Sequence, residues 1–113
     1  MDTDKFHLVF LPLFEEDVNR VADYISLTLG NPDAAARLAD DVLNAIHERL
    51  RYPTSFEPWK SKKERDLDYF RIYVRSYTVF YIVHDNVMEV RRFVYTPGNW
   101  KKKMVPMKSG RVT

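Results

Sequence analysis

The spacing of apolar residues predicts one strand, two helices and three further strands. A short apolar run from Phe6 to Leu11 is closed by Pro12, which cannot donate to a strand ladder, and it predicts the first strand. The next two segments have helical spacing; their apolar positions are Phe14, Val18, Val21, Ile25 and Leu29, then Ala35, Leu38, Val42, Ala45, Ile46 and Leu50. Gly30 is a natural helix stop, and Asn31 and Pro32 supply a cap and a first-turn proline. Because the connection is so short, we expect an antiparallel helical hairpin.

The region from Asp68 to Tyr95 has the two-residue alternation of β-strands. It divides into Asp68 to Arg75, Tyr77 to His84 and Val87 to Tyr95, with Asp85-Asn86 as a two-residue turn. We therefore predict a three-stranded antiparallel meander. The order β-α-α-β-β-β indicates an α+β fold, with the helical hairpin packed on one face of a small antiparallel sheet. The sequence leaves no further element to cover the other face.

Two segments keep neither period and are predicted to be basic and irregular. Pro53 to Asp66 should form a loop that contains Trp59, and a tail opens at Trp100, after Pro97-Gly98 ends the last strand. The basic residues at the start of this tail are Lys101, Lys102 and Lys103. A chain of 113 residues suits a single domain, which we place over residues 1–100 with a basic C-terminal tail over 101–113. Both tryptophans are expected to anchor their segments to the domain.

Charge is distributed unevenly along the chain. Residues 1–50 hold ten acids and four bases, a balance of −6, while residues 51–113 hold fourteen bases and six acids, a balance of +8. The acids fall mostly on the outer faces of the predicted helices. This asymmetry suits an anionic partner for the second half, either nucleic acid or an acidic protein segment, and equally a solvated basic surface without a partner.

The composition also limits the classes of site and compartment. The chain has no cysteine, which excludes a disulfide framework and a thiolate metal site. No N-terminal apolar run reaches the length of a signal peptide or membrane span, so we expect a cytoplasmic protein with no membrane partner. His7 and His47 are isolated from each other, and no acidic cluster has metal-ligand spacing. We predict no metal and no organic cofactor.

The first meander strand carries the candidate binding surface. Successive side chains of a strand point to opposite faces, so Arg71, Tyr73 and Arg75 should share one face, opposite the apolar residues of the strand. That face either binds a partner or only keeps the sheet soluble. Period counting places Arg92 on the core face of the last strand, and we expect a β-bulge or a buried ion pair to resolve this conflict. We expect His84 to be a turn residue.

Several short motifs occur in an order that is typical of one protein family. They are Ala22-Asp23-Tyr24-Ile25, Gly30-Asn31-Pro32, Tyr52-Pro53, Tyr69-Phe70-Arg71, Tyr77-Thr78-Val79-Phe80-Tyr81, and Glu89-Val90-Arg91-Arg92-Phe93-Val94-Tyr95 with Asn99-Trp100. Over most of residues 6–100 the chain resembles toxins of the RelE/ParE superfamily from bacterial toxin-antitoxin modules. The resemblance implies a growth inhibitor of the plasmid-stabilisation type, held inactive in a hetero-oligomer by a cognate antitoxin whose disordered part folds across the toxin.

The resemblance implies two alternative targets. RelE-like members cleave mRNA in the ribosome without a metal, which here would assign Arg71 and Arg75 to the phosphate and Tyr73, His84 or Tyr95 to proton transfer. Because members of the family differ in their catalytic residues, a set of Arg71, Arg75, Arg92 and Tyr95 is a further alternative. However, this chain has Thr78 where the RelE pattern has an arginine directly after the tyrosine that begins the second meander strand. If the RelE-like alternative holds, the chain is an enzyme, a metal-independent mRNA endoribonuclease.

ParE-like members poison DNA gyrase, and the Asn31-Pro32 junction and Asn99-Trp100 ending resemble that branch more closely. This alternative is favoured. It needs only a binding surface, whose candidate residues are Arg71, Tyr73, Arg75, Lys101, Lys102 and Lys103. An inactive toxin-fold interaction module is the third alternative.

Overall fold

A computed structural model describes residues 6–56, 58 and 68–98 of the chain. The elements are β1 (His7–Phe10), α1 (Pro12–Asp23), a π-helical segment (Tyr24–Thr28), α2 (Pro32–Leu50), β2 (Phe70–Val74), β3 (Tyr77–His84) and β4 (Val87–Tyr95). The predicted α+β fold and its β-α-α-β-β-β order are confirmed. Of the loop predicted from Pro53 to Asp66, residues 53–56 and 58 are described and are neither helix nor strand, as expected. Trp59, the run from Lys60 to Arg65 and the chain from Asn99 onward lie outside the described residues.

The four strands form one mixed sheet in the order β1-β4-β3-β2. The meander is antiparallel as predicted, with Phe70 opposite Tyr81 and Tyr77 opposite Tyr95. The first strand, in contrast, pairs in parallel with β4, so the sheet as a whole is not purely antiparallel. A parallel pair requires a long crossover connection, and the helical hairpin forms part of the chain that runs from β1 to β4.

The hydrophobic core lies between one face of the sheet and the two helices. Its buried residues are Phe14, Leu38, Val42, Ile46, Phe70, Ile72, Val74, Val79, Tyr81, Met88, Val90 and Phe93. The apolar stripe predicted for α2 supplies the helical side, and alternate residues of β2 to β4 supply the other. Full burial of one such aliphatic side chain contributes about 1.5–3 kcal/mol to the free energy of folding. The helical stripe of α2 and the alternation of the strands therefore supply the side chains that hold the two layers together.

Local signals place the helix starts and the tight turn. Pro12 and Pro32 lie in the first turns of α1 and α2, and the side chain of Asn31 caps α2 by accepting the N–H of Ala34 at 3.0 Å. Asp85 and Asn86 both have positive φ, 49° and 64°, as a two-residue type I′ hairpin requires. The cap and first-turn proline predicted for the second helix and the two-residue turn predicted at Asp85-Asn86 are confirmed, whereas the place of Pro12 in the first turn of α1 was not predicted.

The end of the first helix differs from the predicted pattern. Leu29 was expected in the buried stripe of that helix, and it is instead 57% exposed. The reason is the π-helical segment, in which the N–H of Leu29 bonds the carbonyl of Tyr24, five residues earlier, at 3.0 Å. The wider turn shifts the directions in which the side chains after Asp23 point.

Within the described residues, no helix is long and apolar enough to cross a membrane.

Candidate target-binding surfaces

The sheet face that points away from the helices, here the far face, carries Arg71 and Tyr73. Both side chains are half-buried on β2, between the buried residues that face the helices. The guanidinium carbon of Arg71 lies 5.7 Å from the centre of the Tyr73 ring, close enough for a cation–π contact. Two of the three residues predicted to share this face therefore do so.

The placement predicted for Arg75 is wrong. The strand ends at Val74, and Arg75 is the first residue of the two-residue β2–β3 turn, with φ of 56°. Its guanidinium pairs with Asp41 on α2, which belongs to the helical layer. Strand alternation cannot be extended through a turn, because the left-handed backbone conformation redirects the side chain.

Arg92 is accommodated by the β-bulge expected from the sequence and by an ion pair in which only the acid is buried, since the Arg92 side chain is 48% exposed and that of Asp17 is 3% exposed. Phe80 pairs with Arg92 whereas the next residue, Tyr81, pairs with Val90, so Arg91 is the extra residue of a β-bulge. The bulge restores Phe93 to the core. The guanidinium of Arg92 makes two hydrogen bonds to Asp17 on α1, from Nε at 2.8 Å and from Nη2 at 3.1 Å.

Asp17 is the acceptor that holds this region together. Its side chain is only 3% exposed, and it also accepts the backbone N–H of Phe93 at 2.9 Å and Nη1 of Arg20 at 3.3 Å. Burial alone would raise the pKa of Asp17, but the hydrogen bonds from Arg92, Phe93 and Arg20 outweigh it and lower the pKa below 3.8. The carboxylate is therefore charged at neutral pH, and Arg92 is its main countercharge.

Tyr95 is the last residue of β4 and lies on the sheet face that packs against the helices, whereas Arg71 lies on the far face. Its ring centre is 5.3 Å from that of Tyr77, which in turn stacks on Phe93 at 4.8 Å. Burial, followed by the neighbouring phenol of Tyr95, raises the pKa of Tyr77. Tyr95 itself is 61% exposed. It lines a surface groove of about 760 Å³, here the end groove, together with Arg20, Val21, Tyr24, Ile25, Leu29, Asn31, Ala34 and Tyr77.

A polar cluster that was not predicted lies on the far face at the other end of the sheet. His84 is the last residue of β3, and its Nε2 is 2.7 Å from Oε1 of Glu89, whose Oε2 accepts Nη1 of Arg91 at 3.1 Å. The guanidinium carbon of Arg91 also lies 5.8 Å from the centre of the Tyr69 ring. The sequence could have indicated the contact between His84 and Glu89, because a two-residue turn places His84 opposite Val87 and hence diagonal to Glu89.

A buried hydrogen-bond network on the side of the sheet that faces the helices holds the backbone of β2. Nη1 of Arg49, at the end of α2, donates to the carbonyl of Arg71 at 3.0 Å and to the hydroxyl of Tyr81 at 2.9 Å. The Tyr81 hydroxyl donates to the carbonyl of Pro53 at 2.6 Å. Burial raises the pKa of Tyr81, against the opposing effect of Arg49. Phe56 covers the guanidinium, whose carbon is 3.6 Å from the ring centre.

Lys101, Lys102 and Lys103 lie outside the described residues. In the part of the chain that the structure describes, no group of three or more histidines and acids is arranged to hold a metal ion.

Comparison with known proteins agrees with the architecture. Residues 8–96 match the model of the family described as the ParE toxin of the type II toxin-antitoxin system parDE. A solved structure of the chromosomal ParDE toxin-antitoxin system from P. aeruginosa superimposes with a TM-score of 0.67 at 11% identity, covering 81% of this chain and 97% of that chain. No curated protein sequence matches the chain at a significant level. The family match spans well over half of the sequence, and the chain therefore belongs to the ParE toxin family of type II toxin-antitoxin systems.

Proposed function

We propose that the protein inhibits bacterial growth by poisoning DNA gyrase, and that a cognate antitoxin encoded with it neutralises this activity. The observation that carries the proposal is the dispersal of the four residues that RNA cleavage would require. Arg75 pairs with Asp41 on α2, Arg92 pairs with Asp17 on α1, Tyr95 lines the end groove, and Arg71 lies on the far face. Two of the three arginines are thus held by carboxylates of the helices, and Tyr95 and Arg71 lie on opposite faces of the sheet, which argues against a joint contact of all four with one phosphate.

The environment of Thr78 supports the same choice. This residue stands where RelE-like nucleases have an arginine, and it is buried, with its hydroxyl 2.8 Å from that of Thr96. It contributes a structural hydrogen bond between β3 and the end of β4 instead of a cation. Gyrase poisoning requires only a surface of suitable shape and charge, for which Arg71, Tyr73 and Lys101 to Lys103 are the candidates.

The test is a gyrase supercoiling assay with purified toxin, run beside a cell-free translation reaction in which new mRNA 5′ ends are mapped by primer extension. We expect loss of supercoiling and intact message. Replacing Lys101, Lys102 and Lys103 with serine should weaken inhibition. The matched control replaces Lys60, Lys62 and Lys63 with serine, because it removes the same charge from the other basic segment. Unaffected supercoiling would reject the proposal.

Ribosome-dependent RNA cleavage is the second candidate, and the cluster of His84, Glu89 and Arg91 favours it. A histidine held 2.7 Å from a carboxylate can accept a proton from a ribose hydroxyl, and a guanidinium beside them can stabilise a phosphate. Codon-positioned cuts in the translation reaction that disappear in His84→Ala would establish this function in place of gyrase poisoning.

A further inference from the structure

The end groove has the composition of a site for a small ligand. Its volume of about 760 Å³ lies within the range of about 300–1,000 Å³ that is usual for pockets that bind small organic molecules. Its lining is mostly aliphatic and aromatic, and the two other lining residues are Arg20 and Asn31. Small-ligand sites combine these same parts, an apolar wall that holds the body of the ligand and a few polar groups that fix its orientation.

The backbone at the end of the first helix opens one wall of the groove. The N–H of Leu29 bonds the carbonyl of Tyr24, and the N–H of Asn31 bonds the carbonyl of Ile25, so the helix ends in widened turns. As a result, Tyr24 and Leu29 are 55% and 57% exposed beside the groove. Such π-helical turns are rare and occur frequently at functional sites. The apolar wall is therefore a product of the local backbone and not of one misplaced side chain.

Three phenols lie together at the groove. Tyr77 begins β3 and Tyr95 ends β4, and their ring centres are 5.3 Å apart. Burial raises the pKa of Tyr77, and the phenols of Tyr95 and Tyr24 raise it further against the opposing effect of Arg75, which places Tyr24 near them. The Tyr77 hydroxyl is therefore protonated at neutral pH and can donate a hydrogen bond. Aromatic rings at this spacing pack favourably with a further flat ring.

The charged residue that lines the groove is Arg20, and its charge is only partly neutralised. Within the described residues its one hydrogen bond runs from Nη1 to Asp17 at 3.3 Å, and its side chain is 68% exposed. Asp17 is shared with Arg92, which makes the two shorter bonds of 2.8 and 3.1 Å. A guanidinium binds a carboxylate through two parallel N–H···O bonds when its geometry is free to do so. The groove therefore favours an anion over a neutral or cationic ligand.

We propose that the end groove binds a small aromatic carboxylate, with the ring system of the ligand against the three tyrosines and its carboxylate on the guanidinium of Arg20. The lining residues come from the first helix, the start of α2 and the strands β3 and β4. A bound ligand thus joins the helical layer to the sheet, and it stabilises the folded state because it binds only that state. The inference does not depend on the identity of the cellular target.

The test is a titration of the isotope-labelled full-length protein with 2-naphthoate, a flat two-ring carboxylate, followed by NMR of the backbone amides and by thermal unfolding. We expect saturable shifts at the groove residues Tyr24, Leu29 and Ala34, and a higher melting temperature. The amide 2-naphthamide has the same ring system without the charge. We expect it to bind about tenfold more weakly, because it cannot make the charge-assisted hydrogen bonds to the guanidinium.

A matched pair of variants tests the role of Arg20. Arg20→Gln should weaken the binding of 2-naphthoate about tenfold and leave that of 2-naphthamide unchanged. Arg37→Gln is the control, because it removes the same charge from an exposed position of α2 that does not line the groove, and it should leave both affinities unchanged. If Arg20→Gln does not fold, the comparison of the two ligands on the unaltered chain carries the test.

Four results would overturn the inference. They are the absence of saturable shifts at the groove residues, equal affinity for the two ligands, an affinity for 2-naphthoate that survives Arg20→Gln, and groove shifts that appear on concentrating the protein without ligand. The last result would assign the groove to a second copy of the chain.

Discussion

The carboxylate of Asp17 on α1 binds the guanidinium of Arg92 on β4 through two hydrogen bonds, although the two residues are 75 positions apart. β1 ends at Phe10, opposite Val90, and further along β4 Asp17 also accepts the N–H of Phe93. One buried side chain therefore joins the first helix to the bulged end of the last strand. The pair lets two arginines stand in β4 without placing an uncompensated charge against the core.

A double-mutant cycle should measure this link. We expect Asp17→Asn to lower the free energy of unfolding by about 2–3 kcal/mol, because it weakens bonds to two charged donors and leaves the buried Phe93 N–H with a poorer acceptor. Combined with Arg92→Ala, it should give a coupling energy of at least about 1 kcal/mol in urea unfolding. Asp23→Asn, at an exposed acid of the same helix, should change stability by less than about 0.5 kcal/mol. Additive effects at Asp17 and Arg92 would contradict the link.

The same carboxylate should make stability fall in acid. The folded-state pKa of Asp17 is lowered from 3.8, so its contribution is fully present above that ordinary value and is lost as the pH falls through the folded pKa. The gap in unfolding free energy between the native sequence and Asp17→Asn should be constant near neutral pH and narrow below about pH 4. Urea titrations over this pH range check it. A gap that stays constant into acid would show that Asp17 is not the titrating group.

The sequence predicts the architecture well because each element carries its own periodic signal. The α2 stripe, the Asn31 cap, the Asp85-Asn86 turn and the meander are local patterns, and all are confirmed. The parallel pairing of β1 with β4 is not local. It depends on where the hairpin carries the chain, and no spacing within β1 encodes it.

The candidate site was harder to predict because it depends on the face to which each side chain points. That face follows from the helix or strand period only up to the next bulge, turn or π-helical turn, where the period shifts. Leu29 left the buried stripe at a π-helical turn, and Arg75 left the far face at a left-handed turn residue. The bulge at Arg91 was anticipated only because strict alternation would place the charge of Arg92 on the core face. Burying an unpaired charge there costs so much free energy that an interruption of the alternation is expected. No comparable penalty marks the other two positions. The lesson is that strand alternation identifies binding residues only between consecutive irregularities.

The left-handed conformation of Arg75 predicts an unusual ranking of substitutions. Arg75→Gly and Arg75→Ala both remove the exposed ion pair with Asp41, which contributes at most about 1 kcal/mol. Only alanine keeps the steric cost of φ at 56°, whereas glycine adopts this conformation freely. We therefore expect Arg75→Gly to be more stable than Arg75→Ala by about 1 kcal/mol in urea unfolding, the reverse of the usual order. Equal stabilities would mean that the turn rearranges.

The buried phenol of Tyr81 should control the backbone beneath the far face. Tyr81→Phe keeps the ring that packs in the core but removes one partner each from the carbonyl of Pro53 and from the buried guanidinium of Arg49. We expect a loss of about 1–3 kcal/mol in the free energy of unfolding, because both groups are desolvated where they stand. Hydrogen exchange should also quicken in β2, since the same Arg49 nitrogen holds the Arg71 carbonyl.

The control for this substitution is Tyr73→Phe, a half-buried phenol on the far face of β2. It changes the same functional group on the same sheet, and it should alter stability by less than about 0.5 kcal/mol. Equal losses for the two variants would show that the hydroxyl of Tyr81 is not structurally special. A larger loss for Tyr81→Phe, with faster exchange confined to β2 and to residues 51–56, would show that Arg49 and Tyr81 together hold the strand that carries Arg71.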